Sequence, residues 1–147
     1  MKSVMRIRVA ASPERIFPLA ADVEGWPQLL PHYRYVHRLP SVDGERRFAM
    51  GARRGFIPVR WQATQRPMPE RGVIEFTHTG GVTRGMQVAW RLAPVPGGTE
   101  VSIEHELHLR WPLIGEFAAG RIIGPIFVDA IAGRTLRCVK QLAEADR

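Results

Sequence analysis

The stretch GVIEFTHTGGVTRGMQVAWRLA, residues 72–93, carries the pattern that decides the fold. Apolar and polar side chains alternate in its first part, and they alternate again after the glycine pair Gly80-Gly81. A period of two residues is typical of a half-buried β-strand, and a glycine pair between two such runs is typical of a hairpin turn. The stretch therefore predicts two antiparallel strands, with Ile74, Phe76 and His78 on one face of the first and Arg84, Met86, Val88, Trp90 and Leu92 on one face of the second.

The same alternation continues in both directions from this hairpin. Turn signals such as Asp43-Gly44 and Gly97-Gly98 separate the apolar runs, and short connections between consecutive strands imply antiparallel neighbours. The predicted strands of this central region are Tyr33–Pro40, Glu45–Arg53, Phe56–Gln65, Gly72–Thr79, Val82–Ala93 and Thr99–Arg110.

The region before these strands combines one further strand with short helices. Residues 3–11 alternate as a strand does. Ser12 is a suitable helix cap and Pro13 suits the first helical turn, so a short helix is expected to about Asp22. A second short helix is expected over Val23–Leu30.

The C-terminal region has helical rather than strand periodicity. From Gly115 onwards, apolar residues recur three and four positions apart, as on one face of a helix. We expect a break near Pro125, because proline removes a helical hydrogen bond, and a helix from Ile126 to Ala145. The whole order predicts an α+β fold. In it a curved antiparallel sheet of about seven strands wraps around a long C-terminal helix and leaves a pocket between the two.

Composition places the chain among ordinary globular proteins. Its 147 residues are 45% hydrophobic and 24% charged, which argues against disorder and predicts one domain over residues 1–147. Cys138 is the single cysteine, so no internal disulfide forms and a reducing compartment is expected. No apolar run reaches the length of a membrane span. We therefore expect a soluble, cytoplasmic protein, either a monomer or a homodimer.

The formal net charge of +7 comes mostly from arginines scattered singly along the chain. A nucleic-acid-binding protein more often concentrates such charge on one helix or tail, so a solvated basic surface is the favoured interpretation. No histidine, cysteine or carboxylate spacing indicates a metal site, and no phosphate-binding glycine loop or nucleophile elbow occurs. We expect no metal and no cofactor.

Several motifs resemble those of the helix-grip superfamily, which includes START lipid-transfer domains and Bet v 1 allergens. The polyketide cyclase/dehydrase branch and the coenzyme Q-binding branch look most similar, and the resemblance covers nearly the whole chain. The motifs are ASPERIF at Ala11–Phe17, DVEGWPQLLP at Asp22–Pro31, AWRLAP at Ala89–Pro94 with GTEV at Gly98–Val101, and TLRCVKQLAE at Thr135–Glu144. The resemblance implies the helix-grip fold and an internal site for a hydrophobic ligand.

The predicted inner faces of the strands supply most of the candidate ligand-binding residues, which alternation identifies, and helical spacing in the C-terminal region adds Phe127. Core packing is the alternative for the tryptophans, His78 and Met86. A half-wet strand face is the alternative for Tyr35, and a bulge would shift the alternation by one residue. The candidates are Trp61, Gln65, Phe76, His78, Trp90, Tyr35, Met86 and Phe127.

Two further residues are candidates for catalysis. Arg84 could bind an enolate or carboxylate oxygen, or it could simply reach solvent at the end of its strand. His105 could act as a general acid or base, or it could be a satisfied core histidine. The resemblance implies a cavity arginine four positions after a tryptophan that Trp61 matches. Gln65 stands at that position, and glutamine cannot neutralise an enolate.

Three functions are compatible with these observations. The first is binding of a hydrophobic or aromatic small molecule, such as a lipid, a quinone or a polyketide-like compound. The second is a polyketide aromatase/cyclase that promotes cyclisation and dehydration of a poly-β-ketone chain. The third is an interaction protein whose basic outer face binds an acidic or RNA-containing partner, as the resemblance to the coenzyme Q-binding branch allows.

Overall fold

The computed structural model describes residues 1–81, 83–107 and 119–145. Within the last range, the side chains at positions 119, 120, 122, 123, 126 and 127 lie outside the description. The strands are β1 (Lys2–Val9), β2 (Tyr33–Val42), β3 (Glu45–Arg54), β4 (Ile57–Met68), β5 (Val73–Gly81), β6 (Gln87–Val95) and β7 (Gly98–Glu106). The α-helices are α1 (Pro13–Ala21), α2 (Trp26–Leu29) and α3 (Gly133–Ala145), and a π-helical segment, Ala119–Ala132, leads into α3.

The seven strands form one antiparallel sheet in the order β1-β7-β6-β5-β4-β3-β2. Strands β2 to β7 follow one another as neighbours, because short turns join them. The chain crosses from β1 at one edge to β2 at the other through α1, the 3₁₀ turn Val23–Gly25 and α2. The predicted helix-grip architecture is confirmed.

The crossover begins where the sequence predicts it. Ser12 has extended backbone angles and accepts a hydrogen bond from the Arg15 backbone N–H through its Oγ, at 3.3 Å. Pro13 occupies the first turn of α1. Ile16 and Ala20 are buried and hold the helix against the rest of the protein.

The core lies between the concave face of the sheet and the C-terminal helical region. Alternate residues of each strand point into it, because side chains of a strand alternate between faces. The buried sheet residues include Phe48, Met50, Trp61, Ala63, Ile74, Phe76, Val88, Trp90, Leu92, Val101 and Ile103, and the helical region contributes Val128, Ile131, Leu136 and Val139.

The C-terminal helical region differs from the prediction at its start. We expected a helix beginning at Ile126 after a break at Pro125, whereas the π-helical segment includes Pro125 and changes to α-helix at Gly133. A side chain at Gly133 would place its Cβ 3.0 Å from the Cε of Met5. The glycine therefore allows α3 to approach β1 closely at the point where the helix type changes.

The strand bounds differ from the prediction mainly at β6. This strand begins at Gln87 and not at Val82, because residues 83–85 form a turn in which Gly85 has φ +95°. Val82 lies outside the described residues, as do residues 108–110 at the predicted end of the last strand. No helix among the described residues is long and apolar enough to cross a membrane.

Replacing Gly98 with alanine should destabilise the fold by about 1–3 kcal/mol, the usual range for forced overpacking. A Cβ at this position would overlap the backbone carbonyl oxygen of Val9, which belongs to the neighbouring strand and has no room to move. Gly80→Ala is the matched control, because its Cβ would meet only the mobile side-chain oxygen of Gln62, at 3.2 Å. Urea unfolding measures both variants, and equal midpoints would contradict the expected difference.

Candidate functional site

An internal cavity of about 40 Å³ lies between the concave face of the sheet and the junction of the π-helical segment with α3. Most of its wall is aromatic or aliphatic. The described lining residues are Trp26, Tyr33, Met50, Trp61, Phe76, His78, Val88, Trp90, Ile103, His105, Ile131, Ala132 and Thr135.

The aromatic side chains of the wall contact one another in a continuous cluster. Trp26 meets Tyr33 edge-on with ring centroids 5.0 Å apart, and Tyr33 meets Trp61 edge-on at 6.0 Å. Trp26 also lies 6.2 Å from Trp90, and its indole N–H donates to the Leu19 carbonyl oxygen at 2.9 Å. Edge-on arrangements are favourable for aromatic quadrupoles, so the cluster forms a stable wall.

His78 lies flat against this wall. Its ring stacks on Trp61 with centroids 5.9 Å apart and planes 4° from parallel. Its Nδ1 shares a hydrogen bond of 2.7 Å with the Thr83 hydroxyl, which lies in the turn after β5. Burial lowers the pKa of His78 to about 3, with repulsion from nearby His105 as a second cause. The side chain is therefore neutral at pH 7.

His105 occupies the end of β7 and is only 3% exposed. Burial lowers its pKa to about 4, so this ring is neutral at pH 7 as well. Its Nδ1 is buried and has no hydrogen-bond partner among the described residues. Such an atom is costly in an apolar interior.

A second polar cluster lies where the loop before β2 contacts the C-terminal helical region. The Thr135 hydroxyl donates to the Ile131 carbonyl oxygen at 2.9 Å. His32 then donates from Nε2 to the Thr135 oxygen at 2.8 Å, and the same nitrogen lies 3.2 Å from the Ile131 oxygen. One threonine therefore joins His32 to the helical region.

Burial alters the acidity of this second cluster. It lowers the pKa of His32 to about 4, and the charges of Arg134 and Arg137 add to the effect. Burial also raises the pKa of Tyr33, although the nearby Thr135 hydroxyl opposes the rise. Both side chains are uncharged at pH 7, so the cluster contributes dipoles and not charges to the cavity wall.

Five of the residues that the sequence analysis selected line the cavity: Trp61, Phe76, His78, Trp90 and His105. They come from β4, β5, β6 and β7, whose inner faces meet there. Their roles in binding or catalysis remain predictions. Phe127 lies outside the described side chains.

Arg84 is not part of the cavity wall, and its predicted place on the inner face of a strand is wrong. The residue lies in the turn between β5 and β6 and is exposed. Its backbone N–H donates to the Gly81 carbonyl oxygen at 3.1 Å, and the Gly85 N–H closes the turn on the His78 oxygen at 2.8 Å. Because the strand begins later, alternation counted from Trp90 does not extend back to Arg84.

Tyr35 also lies away from the cavity. The pairing of β2 with β3 shifts between Tyr33 and Tyr35, so Tyr33 faces inwards while Tyr35 faces the outer side of the sheet. There the Tyr35 ring covers Gly51 and stacks on His37 at 4.9 Å.

Gln65 and Met86 are buried, as alternation predicts, but neither lines the cavity. Gln65 lies at the other end of its strand, where its Nε2 donates to the Ala21 carbonyl oxygen at 2.7 Å and ties β4 to the end of α1. Met86 is fully buried beside the turn that precedes β6. Both side chains therefore have structural positions.

His32 and Thr135 were not among the predicted site residues. His32 lies just before the predicted strand Tyr33–Pro40, so the alternation along that strand did not include it. Thr135 could have been predicted from the sequence, because it follows Ile131 by four positions and so lies on the same buried helix face. A hydroxyl on such a face requires a buried partner.

The described lining contains no lysine, arginine, aspartate or glutamate. Among the described residues, no group of three or more histidine, cysteine or acidic side chains is arranged to hold a metal ion. The cavity can therefore offer stacking surfaces and neutral hydrogen-bonding atoms to a ligand.

Comparison with known proteins gives a family and several relatives. A family model described as polyketide cyclase/dehydrase and lipid transport matches residues 9–124. The granaticin polyketide synthase bifunctional cyclase/dehydratase of Streptomyces violaceoruber is 27% identical over 107 residues, which cover 71% of this chain and 33% of that protein. The chain thus spans about a third of the length of that curated relative.

Two solved structures are similar over nearly the whole chain. The Zhui aromatase/cyclase from Streptomyces sp. R1128 has a TM-score of 0.81 and 19% identity, covering 98% of this chain and 93% of its own. A START superfamily protein from Mycobacterium smegmatis has a TM-score of 0.72 and 15% identity, covering 98% and 97%. These structures establish the fold. Since the family model matches well over half of the sequence, the chain belongs to the polyketide cyclase/dehydrase and lipid transport family.

Proposed function

We propose that the protein binds a flat, uncharged, hydrophobic small molecule of the quinone or aromatic polyketide type in the cavity. The observation that carries this proposal is the almost entirely aromatic and aliphatic wall, to which His105 contributes a side chain whose Nδ1 has no hydrogen-bond partner among the described residues. Membership of a family of polyketide cyclases and lipid transport proteins supports it.

The shape preference follows from the aromatic cluster. Trp26, Trp61 and Trp90 present large rigid surfaces, and His78 extends the Trp61 surface by lying parallel to it. A planar ligand can stack on such surfaces or meet their edges with little loss of conformational entropy.

The preference for an uncharged ligand follows from the absence of charged side chains in the described lining. A buried carboxylate is very costly unless a cation pairs with it, and the described wall supplies none. A free fatty acid is therefore a poor ligand here, whereas a quinone or phenol needs only a neutral hydrogen-bonding partner. His105 and Tyr33 can each supply one.

Size sets a further condition. The cavity of about 40 Å³ holds about three water molecules, whereas pockets for drug-sized ligands occupy roughly 300–1,000 Å³. Binding must therefore widen the space by moving part of its wall. Met50 is the most adaptable lining side chain, since it is unbranched and has three rotatable bonds.

A cyclase activity is the second candidate, and the presence of His78 and His105 in one cavity favours it. In that case one ring would remove a proton from a poly-β-ketone chain and the other would protonate an oxygen. Their low pKa values make both rings weak bases at pH 7, where a general base is most effective with a pKa near the working pH. Binding is therefore the function that the geometry supports better.

A titration with menadione, a flat naphthoquinone, tests binding through quenching of tryptophan fluorescence. Ala132→Leu should abolish saturable quenching, because the larger side chain projects from the helical wall into the cavity. Ala130→Leu is the matched control, since Ala130 lies two residues away, is half-buried and does not line the cavity. Absence of saturable quenching in the unmodified protein, or equal loss in both variants, would overturn the proposal.

His105→Leu should separate stability from binding. Removal of an unpartnered buried polar atom should stabilise the free protein by about 1–3 kcal/mol at pH 7. Loss of the ligand's hydrogen-bond partner should weaken menadione binding about tenfold. His37→Leu is the control, because His37 is exposed on the outer face. Unchanged affinity in His105→Leu would remove His105 from the binding site, and urea unfolding supplies the stability measurement.

The three buried histidines should make stability depend on pH. Their pKa values in the folded protein are about 4 for His32, 3 for His78 and 4 for His105, below the 6.5 of a free histidine. Between pH 4 and pH 6.5 the unfolded chain therefore binds more protons than the folded one. The free energy of unfolding should rise with pH in this window, by at most about 1.4 kcal/mol per histidine per pH unit, and level off above it.

Urea unfolding between pH 5 and pH 8 measures this dependence. His105→Leu should reduce the slope below pH 6.5 by about a third, because it removes one of three histidines. His37→Asn should leave the slope unchanged, since its imidazole is exposed. A flat profile from pH 5 to pH 8 would mean that the buried rings are not held neutral.

A further inference from the structure

The turn between β3 and β4 exposes apolar side chains in an unusual position. Arg54 pairs with Ile57, so Gly55 and Phe56 form a two-residue hairpin loop. Gly55 has φ +58° while Phe56 has no positive φ, as in a type II′ turn with glycine at its first position. This geometry places Phe56 at the corner of the hairpin. Phe56 is 103% exposed and Ile57 is 52% exposed, so the phenyl ring contributes nothing to the core.

The hairpin that carries Phe56 is strongly basic, and Glu45 at the far end of β3 is its one acidic residue. Residues 46–69 contain six arginines and no aspartate or glutamate. Arg53, Arg54 and Arg60 surround the turn, and all three are exposed. None of the three forms an ion pair with another described residue. We call this group, Arg53, Arg54, Phe56, Ile57 and Arg60, the hairpin tip.

Other cations lie at the same end of the sheet. Because the strands are antiparallel, the end of β3, the start of β4, the end of β5 and the start of β2 all lie at the same end of the sheet. Exposed Arg34 lies at the start of β2, and exposed Arg84 lies in the turn after β5. The turn at the opposite end of β3 is different, since Asp43-Gly44 is polar and carries a negative charge.

We propose that the hairpin tip docks reversibly on an anionic lipid bilayer, with Phe56 and Ile57 entering the interfacial region and the arginines contacting lipid phosphates. Apolar side chains combined with basic ones are the pattern that binds such surfaces. Arginine matches phosphate because its guanidinium forms paired hydrogen bonds.

A bilayer fits this feature better than a protein partner does. A stable protein interface buries about 800 Å² on each side, whereas the hairpin tip is a narrow, convex turn of a few side chains. A bilayer needs no matching surface, because lipids rearrange around an inserted ring. The proposal goes beyond ligand binding and does not depend on it. The two sites are nevertheless adjacent in the chain, since Trp61 of the cavity wall follows Arg60 directly in β4.

Sedimentation with vesicles of phosphatidylcholine and phosphatidylglycerol in a ratio of about 7:3 tests the proposal, with pure phosphatidylcholine vesicles in parallel. The protein should bind the anionic vesicles at low salt, and binding should fall as salt is added. Phe56→Ser should reduce the partition coefficient about tenfold. Each of Arg53→Gln, Arg54→Gln and Arg60→Gln should reduce it about fivefold.

Two control variants distinguish the hairpin tip from general surface properties. Arg66→Gln removes the same charge from the other end of β4, and Val42→Ser removes an exposed apolar side chain from the opposite end of the sheet. Both should bind vesicles as the unmodified protein does. Phe56→Trp should retain binding and acquire a blue-shifted emission that brominated lipids quench, which reports insertion directly.

The opposite results would overturn the proposal. Failure to bind anionic vesicles at low salt excludes docking. If Phe56→Ser binds the vesicles undiminished, Phe56 does not insert and only charge attraction remains. The same conclusion follows if brominated lipids do not quench the added indole emission of Phe56→Trp. The protein could also bind polyglutamate as tightly as it binds the anionic vesicles, with no effect of Phe56→Ser on that affinity. This result would assign the hairpin tip to an acidic protein partner. Circular dichroism should show that each variant is folded, because all the substituted side chains are exposed.

Discussion

The attachment of the C-terminal helix to the corner between β1 and α1 is the constraint on which the site depends. The Arg15 Nε–H donates to the Ala143 carbonyl oxygen at 2.6 Å, and the Ala10 backbone N–H donates to Glu144 Oε2 at 2.8 Å. Lys140 donates to the Arg8 carbonyl oxygen at 2.9 Å. The first of these bonds also satisfies a carbonyl group that the end of a helix leaves unpaired. Together these bonds fix α3 across the sheet at that end, so the position of the π-helical segment decides how much space is left over the rest of the concave face.

Side chains nearly fill that space, but its buried polar atoms distinguish it from an ordinary hydrophobic core. Aliphatic side chains at positions 78 and 105 would give a more stable core, because each buried imidazole must lose its hydration. His78 recovers some of this cost through Thr83 and through its stack on Trp61. Nδ1 of His105 recovers none of it from any described residue. Residues that oppose stability in this way are expected at functional sites.

Local rules predicted the fold well, and they predicted the site only in part. Alternation and glycine turns identified all seven strands, and Ser12-Pro13 identified the start of α1. Alternation also selected Trp61 and His105 as inward-facing, but it failed for Tyr35 beyond a bulge and for Arg84 in a turn. The bond between His32 and Thr135 spans 103 positions, and that between Gln65 and Ala21 spans 44. Such pairings arise from the packing of whole elements, so no pattern within one segment can reveal them.

The two ends of the sheet have different physical characters, and this difference follows from the turns. At one end, Asp43-Gly44 adopts positive φ at both positions and presents polar groups to water. At the other end, glycine takes the only strained position of its turn, so the neighbouring position accepts any side chain without backbone cost. A phenylalanine there gains nothing from the fold and exposes apolar area to water. Its presence between arginines is explained by an interaction outside the chain, because nothing inside the described structure stabilises it.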